Sequence, residues 1–196
     1  MKTKLKLPVW AQVALPLGVL ALLSTSTARK ALQRKPADPA AKPSAVCGRP
    51  DSSRSEADLH PELAKRWRLA AAEYRRRFPD LPQPFLTQTY RSCADQNAAY
   101  AQGRTRPGPV VTNARAGESL HNYYPALAFD VAFQDGQGGF SCAECFNKFA
   151  GIAKFYGLAW GGDWTGLVDR PHFEPPNYSW QKAAQGIPPT FPPLPK

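Results

Sequence analysis

The stretch from Leu127 to Phe133 alternates strictly. Leu127, Phe129, Val131 and Phe133 fall on one side, and Ala128, Asp130 and Ala132 on the other. The pattern predicts a strand with one face in the core and a lone carboxylate on the other, set between two small neighbours. Such a strand needs backbone partners and a cover for its apolar face, and the flanking sequence offers both.

Between Asp58 and Phe78, Leu59, Leu63, Trp67, Ala70, Tyr74 and Phe78 recur at helical spacing. Pro61 suits the first turn, and Arg75, Arg76 and Arg77 suit the last. "PFLTQTYRS" has strand composition. It ends at Ser92, which with Asp95 can cap a second helix that stops at Gly103, so Arg91 sits where a strand turns into a helix. Ser141 and Glu144 form another capping box, ahead of a helix with an apolar stripe of Phe146, Phe149, Ile152 and Phe155. "GLAWGGDW" is aromatic and broken by glycines, and "DRPHFE" reads as a short last strand with His172 and Glu174 on one face and Phe173 on the other. Helices and strands mix without regular alternation, so the expected fold is α+β, a small antiparallel sheet flanked by helices.

The chain has only three histidines. His121, Asp130 and His172 supply two imidazoles and a carboxylate, the three-ligand set of a catalytic zinc site that keeps one position open. Asp169, three residues before His172, is the candidate proton acceptor beside it. Taken singly, either histidine reads more naturally as a capping or core residue, and Asp130 as a buried acceptor. His60, just before Pro61 at a helix start, fits that bland reading.

Three ordered segments change the balance: "TYRSCADQNAAYAQGRTRPGPVVTNARAGESLHN", "ALAFDV" and "GLAWGGDWTGLVDRPHFE". Together they resemble the zinc D-alanyl-D-alanine carboxypeptidase and L-alanyl-D-glutamate endopeptidase family, in particular its phage endolysin branch, over roughly Phe85 to Glu174. The resemblance implies a Hedgehog/DD-peptidase-like fold with a zinc site in a cleft on the sheet. It implies metal ligation by His121, Asp130 and His172, with Ser119 and Ala128 completing the matched motifs, and Asp169 as base. It further implies that Arg91 faces the substrate carboxylate or the carbonyl under attack, and that Ser119 helps hold substrate. Trp160 and Trp164 read as cleft wall or core. One departure stands out: "HNYYPALAFD" carries Pro125 and two residues more than the family's usual gap between the first histidine and the aspartate. An insertion in the loop before the strand leaves Asp130 on the cleft face.

The ends of the chain say where it works. Lys2, Lys4 and Lys6 precede an uncharged stretch from Leu7 to Ala28, the layout of an export signal that is either cleaved or kept as a membrane anchor. Residues 1–28 are therefore read as that segment, 29–56 as a linker rich in Pro, Ala and Ser, 57–182 as the peptidase domain and 183–196 as a proline-rich tail, packed or mobile. Cys47, Cys93, Cys142 and Cys145 suit two disulfides in an exported protein. Three connectivities exist, and Cys47 with Cys93 and Cys142 with Cys145 is the expected one. "SCAEC" also fits a thiol oxidoreductase, but the parallel strand-helix-strand context is missing.

A formal charge of +10 favours an anionic partner, and with these motifs the expected one is the cell wall. The anticipated protein is a monomeric zinc peptidase of the periplasm or wall that cuts peptidoglycan stem peptides. The expected bond lies between L-Ala and D-Glu, and the alternatives are a D-alanyl-D-alanine carboxypeptidase or a non-catalytic wall-binding module. "YRRRF" reads as a solvated helix face and no groove-reading motif accompanies it, so nucleic acid is not expected.

Overall fold

A computed structural model describes residues 46–135 and 142–196. Helix α1 (Pro61–Arg77) starts where expected: His60 occupies the N-cap, its side chain accepting from the Glu62 amide, and Pro61 takes the first turn. Strand β1 (Gln83–Gln88) leads to α2 (Cys93–Ala101), where Ser92 accepts from the Asp95 amide. After a long loop come β2 (Phe129–Gln134) and α3 (Ala143–Phe155). They are followed by β3 (Ala159–Trp160), β4 (His172–Glu174) and a short α4 (Trp180–Ala184).

The strands form one antiparallel sheet in the order β1-β2-β4-β3. Phe129 pairs with Phe173, and the next residue, Asp130, pairs with His172. Because side chains alternate, this register places an aromatic pair on one face and a carboxylate-imidazole pair on the other. The Phe129 and Phe173 rings stack at 5.5 Å on the face where Trp67 and Tyr74 of α1 and Phe149 of α3 also pack. A single apolar layer thus anchors the strands from behind while the Asp130 face stays open. The expected α+β architecture is present.

Several local expectations need correction. Leu127 precedes β2 and joins a second, smaller cluster with Leu120, Tyr123, Ala128, Tyr178 and Ala183. It does not share the Phe129 layer. Phe155 is 61% exposed, and Cys145, Phe149, Ile152 and Ala153 form the buried stripe of α3 instead. The N-cap of α3 is Cys142 with no side-chain cap bond; Ser141 lies outside the described residues. The glycine-rich "GLAWGGDW" contains β3, which the sequence reading left without a strand.

Residues 46–56, expected as the end of a linker, bond onto the domain. Ser53 exchanges backbone hydrogen bonds with Thr89 and Tyr90, and Cys47 forms a disulfide with Cys93. Cys142 pairs with Cys145. The proline-rich tail packs rather than trailing free: the buried Arg66 guanidinium donates to the carbonyls of Tyr156 and Pro192, and Phe191 stacks on His60. The export or anchor segment of residues 1–28 lies outside the described residues, as does the linker to residue 45. Among the described residues no helix is long and apolar enough to cross a membrane.

Candidate metal centre

The open face of the sheet forms the floor of a cleft of about 1100 Å³. Arg91 and Ser119 line it, with His121, Asp130, Asp169 and His172 at its base. Asp130 and His172 come from adjacent strands in direct register. His121 comes from a 3-10 turn, Leu120–Asn122, whose N-cap Ser119 accepts from the His121 amide. One candidate donor atom from each of His121, Asp130 and His172 lies within 4.8 Å of the others.

The ring nitrogens are used in opposite senses. His121 turns Nε2 inward, 3.1 Å from Asp130 Oδ1 and 3.2 Å from His172 Nδ1, and its other nitrogen meets the Thr89 carbonyl at 2.6 Å. His172 turns Nδ1 inward, 3.2 Å from the same Oδ1, with Nε2 2.9 Å from Glu174 Oε2. Each outward nitrogen thus has an acceptor, which leaves the inward lone pairs for a cation. Asp130 Oδ2 accepts from Arg91 Nη2 at 3.0 Å.

Close packing shifts the proton affinities of the three donor groups. Burial alone would lower His172, but its bonds to Asp130 and Glu174 outweigh burial and push it up to about 10. Burial lowers His121, whereas the two imidazoles overcome the desolvation of Asp130 and hold it well below the usual carboxylate range. Two imidazole nitrogens and one carboxylate oxygen make a donor set that fits a divalent metal ion.

Asp169 borders this cluster, and burial raises its pKa. Its backbone amide donates to the Gly161 carbonyl at 3.0 Å, and its carbonyl accepts from the His172 amide at 3.3 Å. That turn brings the carboxylate toward the cleft. Trp164, 39% exposed, lies 5.0 Å from the His172 ring and walls the cleft, whereas Trp160 packs against the core and donates to the Arg170 carbonyl. The loop with the two additional residues contains a cis Tyr124-Pro125 peptide, and Asp130 stays on the cleft face.

The sequence reading missed three supports. Glu174 was legible, since it shares a face with His172 two residues away. The Thr89 carbonyl was not, because a backbone oxygen leaves no residue signature. Gln96, fully buried, accepts from Arg91 Nη1 and donates to the Ala114 carbonyl; a glutamine in an amphipathic helix gives little warning of that.

Part of the chain is similar to known proteins. Residues 112–175 match the family described as D-alanyl-D-alanine carboxypeptidase. The peptidoglycan L-alanyl-D-glutamate endopeptidase CwlK of Bacillus subtilis (strain 168) is 39% identical over 97 residues, 45% of this chain and 58% of that protein. The L-alanyl-D-glutamate peptidase of Listeria phage A118 is 33% identical over 66 residues, 32% of this chain and 24% of that protein. The chain thus spans less than two thirds of the length of these curated relatives. The crystal structure of the L-Ala D-Glu endopeptidase ChiX of Serratia marcescens superposes with a TM-score of 0.41 at 22% identity, covering 63% of this chain and 87% of that one. The segment that carries His121, Asp130 and His172 is thus similar to proteins described as D-alanyl-D-alanine carboxypeptidases and L-alanyl-D-glutamate endopeptidases.

Proposed function

We propose that this chain is a zinc peptidase that hydrolyses the bond between L-Ala and D-Glu in peptidoglycan stem peptides, outside the cytoplasm. The observation that carries the reading is the convergence of one donor atom each from His121, Asp130 and His172 within 4.8 Å at the base of an open cleft. A bound zinc ion would supply Lewis acidity toward the scissile carbonyl and toward water.

The side chains divide the remaining work. Asp169 accepts the proton of the attacking water as oxygen adds to the carbonyl carbon. It passes that proton to the nitrogen as the C–N bond breaks, leaving a carboxylate and an amine. Its raised pKa suits a group that must both take and return a proton. Arg91 commits two N–H donors within the chain, one to Asp130 and one to Gln96. Its side chain lines the cleft, where its other donors would meet the negative charge developing on the carbonyl oxygen or a substrate carboxylate. Ser119 keeps its hydroxyl proton for substrate, because its oxygen serves the His121 amide as acceptor. The positive charge of the whole chain favours the anionic wall.

The activity named for the relatives supports the L-Ala to D-Glu bond, and the family description supports a second reading, D-alanyl-D-alanine carboxypeptidase. Mass spectrometry of digested peptidoglycan, with metal analysis of the same preparation, separates them. New L-Ala C-termini and D-Glu N-termini are expected. Release of free D-Ala instead selects the second reading, and a folded, zinc-loaded chain that yields no product is a wall-binding module.

A further inference from the structure

We infer that Glu174 is a positioning residue of the metal centre, holding His172 in the orientation and tautomer that present Nδ1 to the ion. The inference rests on the metal site proposed above and concerns a side chain outside the ligand set.

The argument begins with the register. His172 lies opposite Asp130, so its ring must point across the open face of the sheet. With Nδ1 inward, Nε2 points away from the cluster, into a place where the residue is only 6% exposed and an unpartnered N–H would be costly. Strand alternation brings residue 174 to the same face, and Glu174 Oε2 meets Nε2 at 2.9 Å. Across the sheet Glu174 pairs with Ala159, whose small side chain leaves it room. A carboxylate accepting from Nε2–H fixes the proton there and leaves the Nδ1 lone pair for the ion.

The two histidines differ in what stands behind them. His121 has the neutral Thr89 carbonyl, from a residue whose amide and hydroxyl both donate to the Ser53 carbonyl. His172 has a charged side chain, which also makes the imidazole a stronger electron donor. Glu174 is thereby committed to the ring, whereas Asp169 makes no side-chain hydrogen bond among the described residues. That difference is why the proton acceptor is Asp169 and not Glu174, although both border the cleft.

The test uses the full chain, stripped of metal, with zinc affinity measured by competition against a chromophoric chelator. Glu174→Ala is expected to weaken zinc binding by about 10 to 100-fold. Glu174→Gln, which keeps an acceptor but not the charge, is expected to fall between it and wild type. In nitrogen-proton spectra of the zinc-loaded wild type, His172 should show a protonated Nε2 and an unprotonated Nδ1, and the Nε2 proton should exchange faster with water in the alanine variant. Melting of the metal-free proteins controls for folding. Should Glu174→Ala fail to fold, the glutamine variant decides alone: weaker zinc binding supports the inference, and wild-type affinity overturns it. A wild-type chain that binds no zinc contradicts the proposed function, whereas zinc binding unchanged by either substitution contradicts only the role of Glu174.

Discussion

Arg91 Nη2 sits 3.0 Å from Oδ2 of Asp130, while Oδ1 of the same carboxylate faces both imidazoles. The guanidinium therefore selects which oxygen of Asp130 is offered to a cation. It does so from a wall of the cleft, and Gln96 anchors its other arm. Lysine carries the charge but cannot span both partners. Arg91→Lys is expected to retain zinc while kcat/KM falls by about 100-fold or more, on the scale of losing a group that stabilises developing charge. Kinetics beside metal analysis checks this, and full activity in the variant would remove the fork from the mechanism.

Asp169→Asn keeps the shape of the turn between β3 and β4 and removes the carboxylate proposed as proton acceptor. Zinc content and melting temperature should stay near wild type, and turnover should drop by about 100 to 10,000-fold. A variant that loses zinc in proportion to activity would make Asp169 a ligand instead.

Gly161 is where the chain closes over that turn. A Cβ there would lie 2.5 Å from the Asp169 carbonyl oxygen and 3.0 Å from the His172 Cβ. Gly161→Ala must displace Asp169 and His172 from this close approach, at a cost of about 1 to 3 kcal/mol in stability, as for other overpacked sites. Loss of activity larger than the stability change accounts for is expected, read from thermal melts and kinetics on the same protein.

The disulfides separate by loop length. Cys47–Cys93 closes a sequence separation of 46 residues, and Cys142–Cys145 one of 3. Loop-closure entropy gives about 4 kcal/mol for the first and about 2 kcal/mol for the second. Replacing Cys142 and Cys145 by Ser should spare turnover, while replacing Cys47 and Cys93 should lower the denaturation midpoint more. Loss of catalysis in a folded Cys142→Ser, Cys145→Ser protein would point to redox chemistry.

The parts legible in the sequence were those whose signal is local. The α1 stripe, the Ser92 cap and the alternation around Asp130 each follow from one element's own periodicity, and they place Asp130 on an open face. Elements made by pairing were not legible. Ala159–Trp160 is a strand only because β4 lies beside it, and α4 exists to close the small cluster with Leu127 and Tyr178. The same holds within the site. His121, Asp130 and His172 could be named from residue type and order, but the exchange of ring nitrogens, the Thr89 carbonyl and the grip of Arg91 on Asp130 depend on three-dimensional register.

Zinc stoichiometry tests the central claim most directly, measured on the purified full chain and on His121→Ala and His172→Ala after dialysis against a weak chelator. The wild type should hold a single zinc ion, and each variant should lose it together with peptidoglycan hydrolysis. A chain that hydrolyses peptidoglycan after complete metal removal, or one that keeps its zinc without either histidine, would contradict the account.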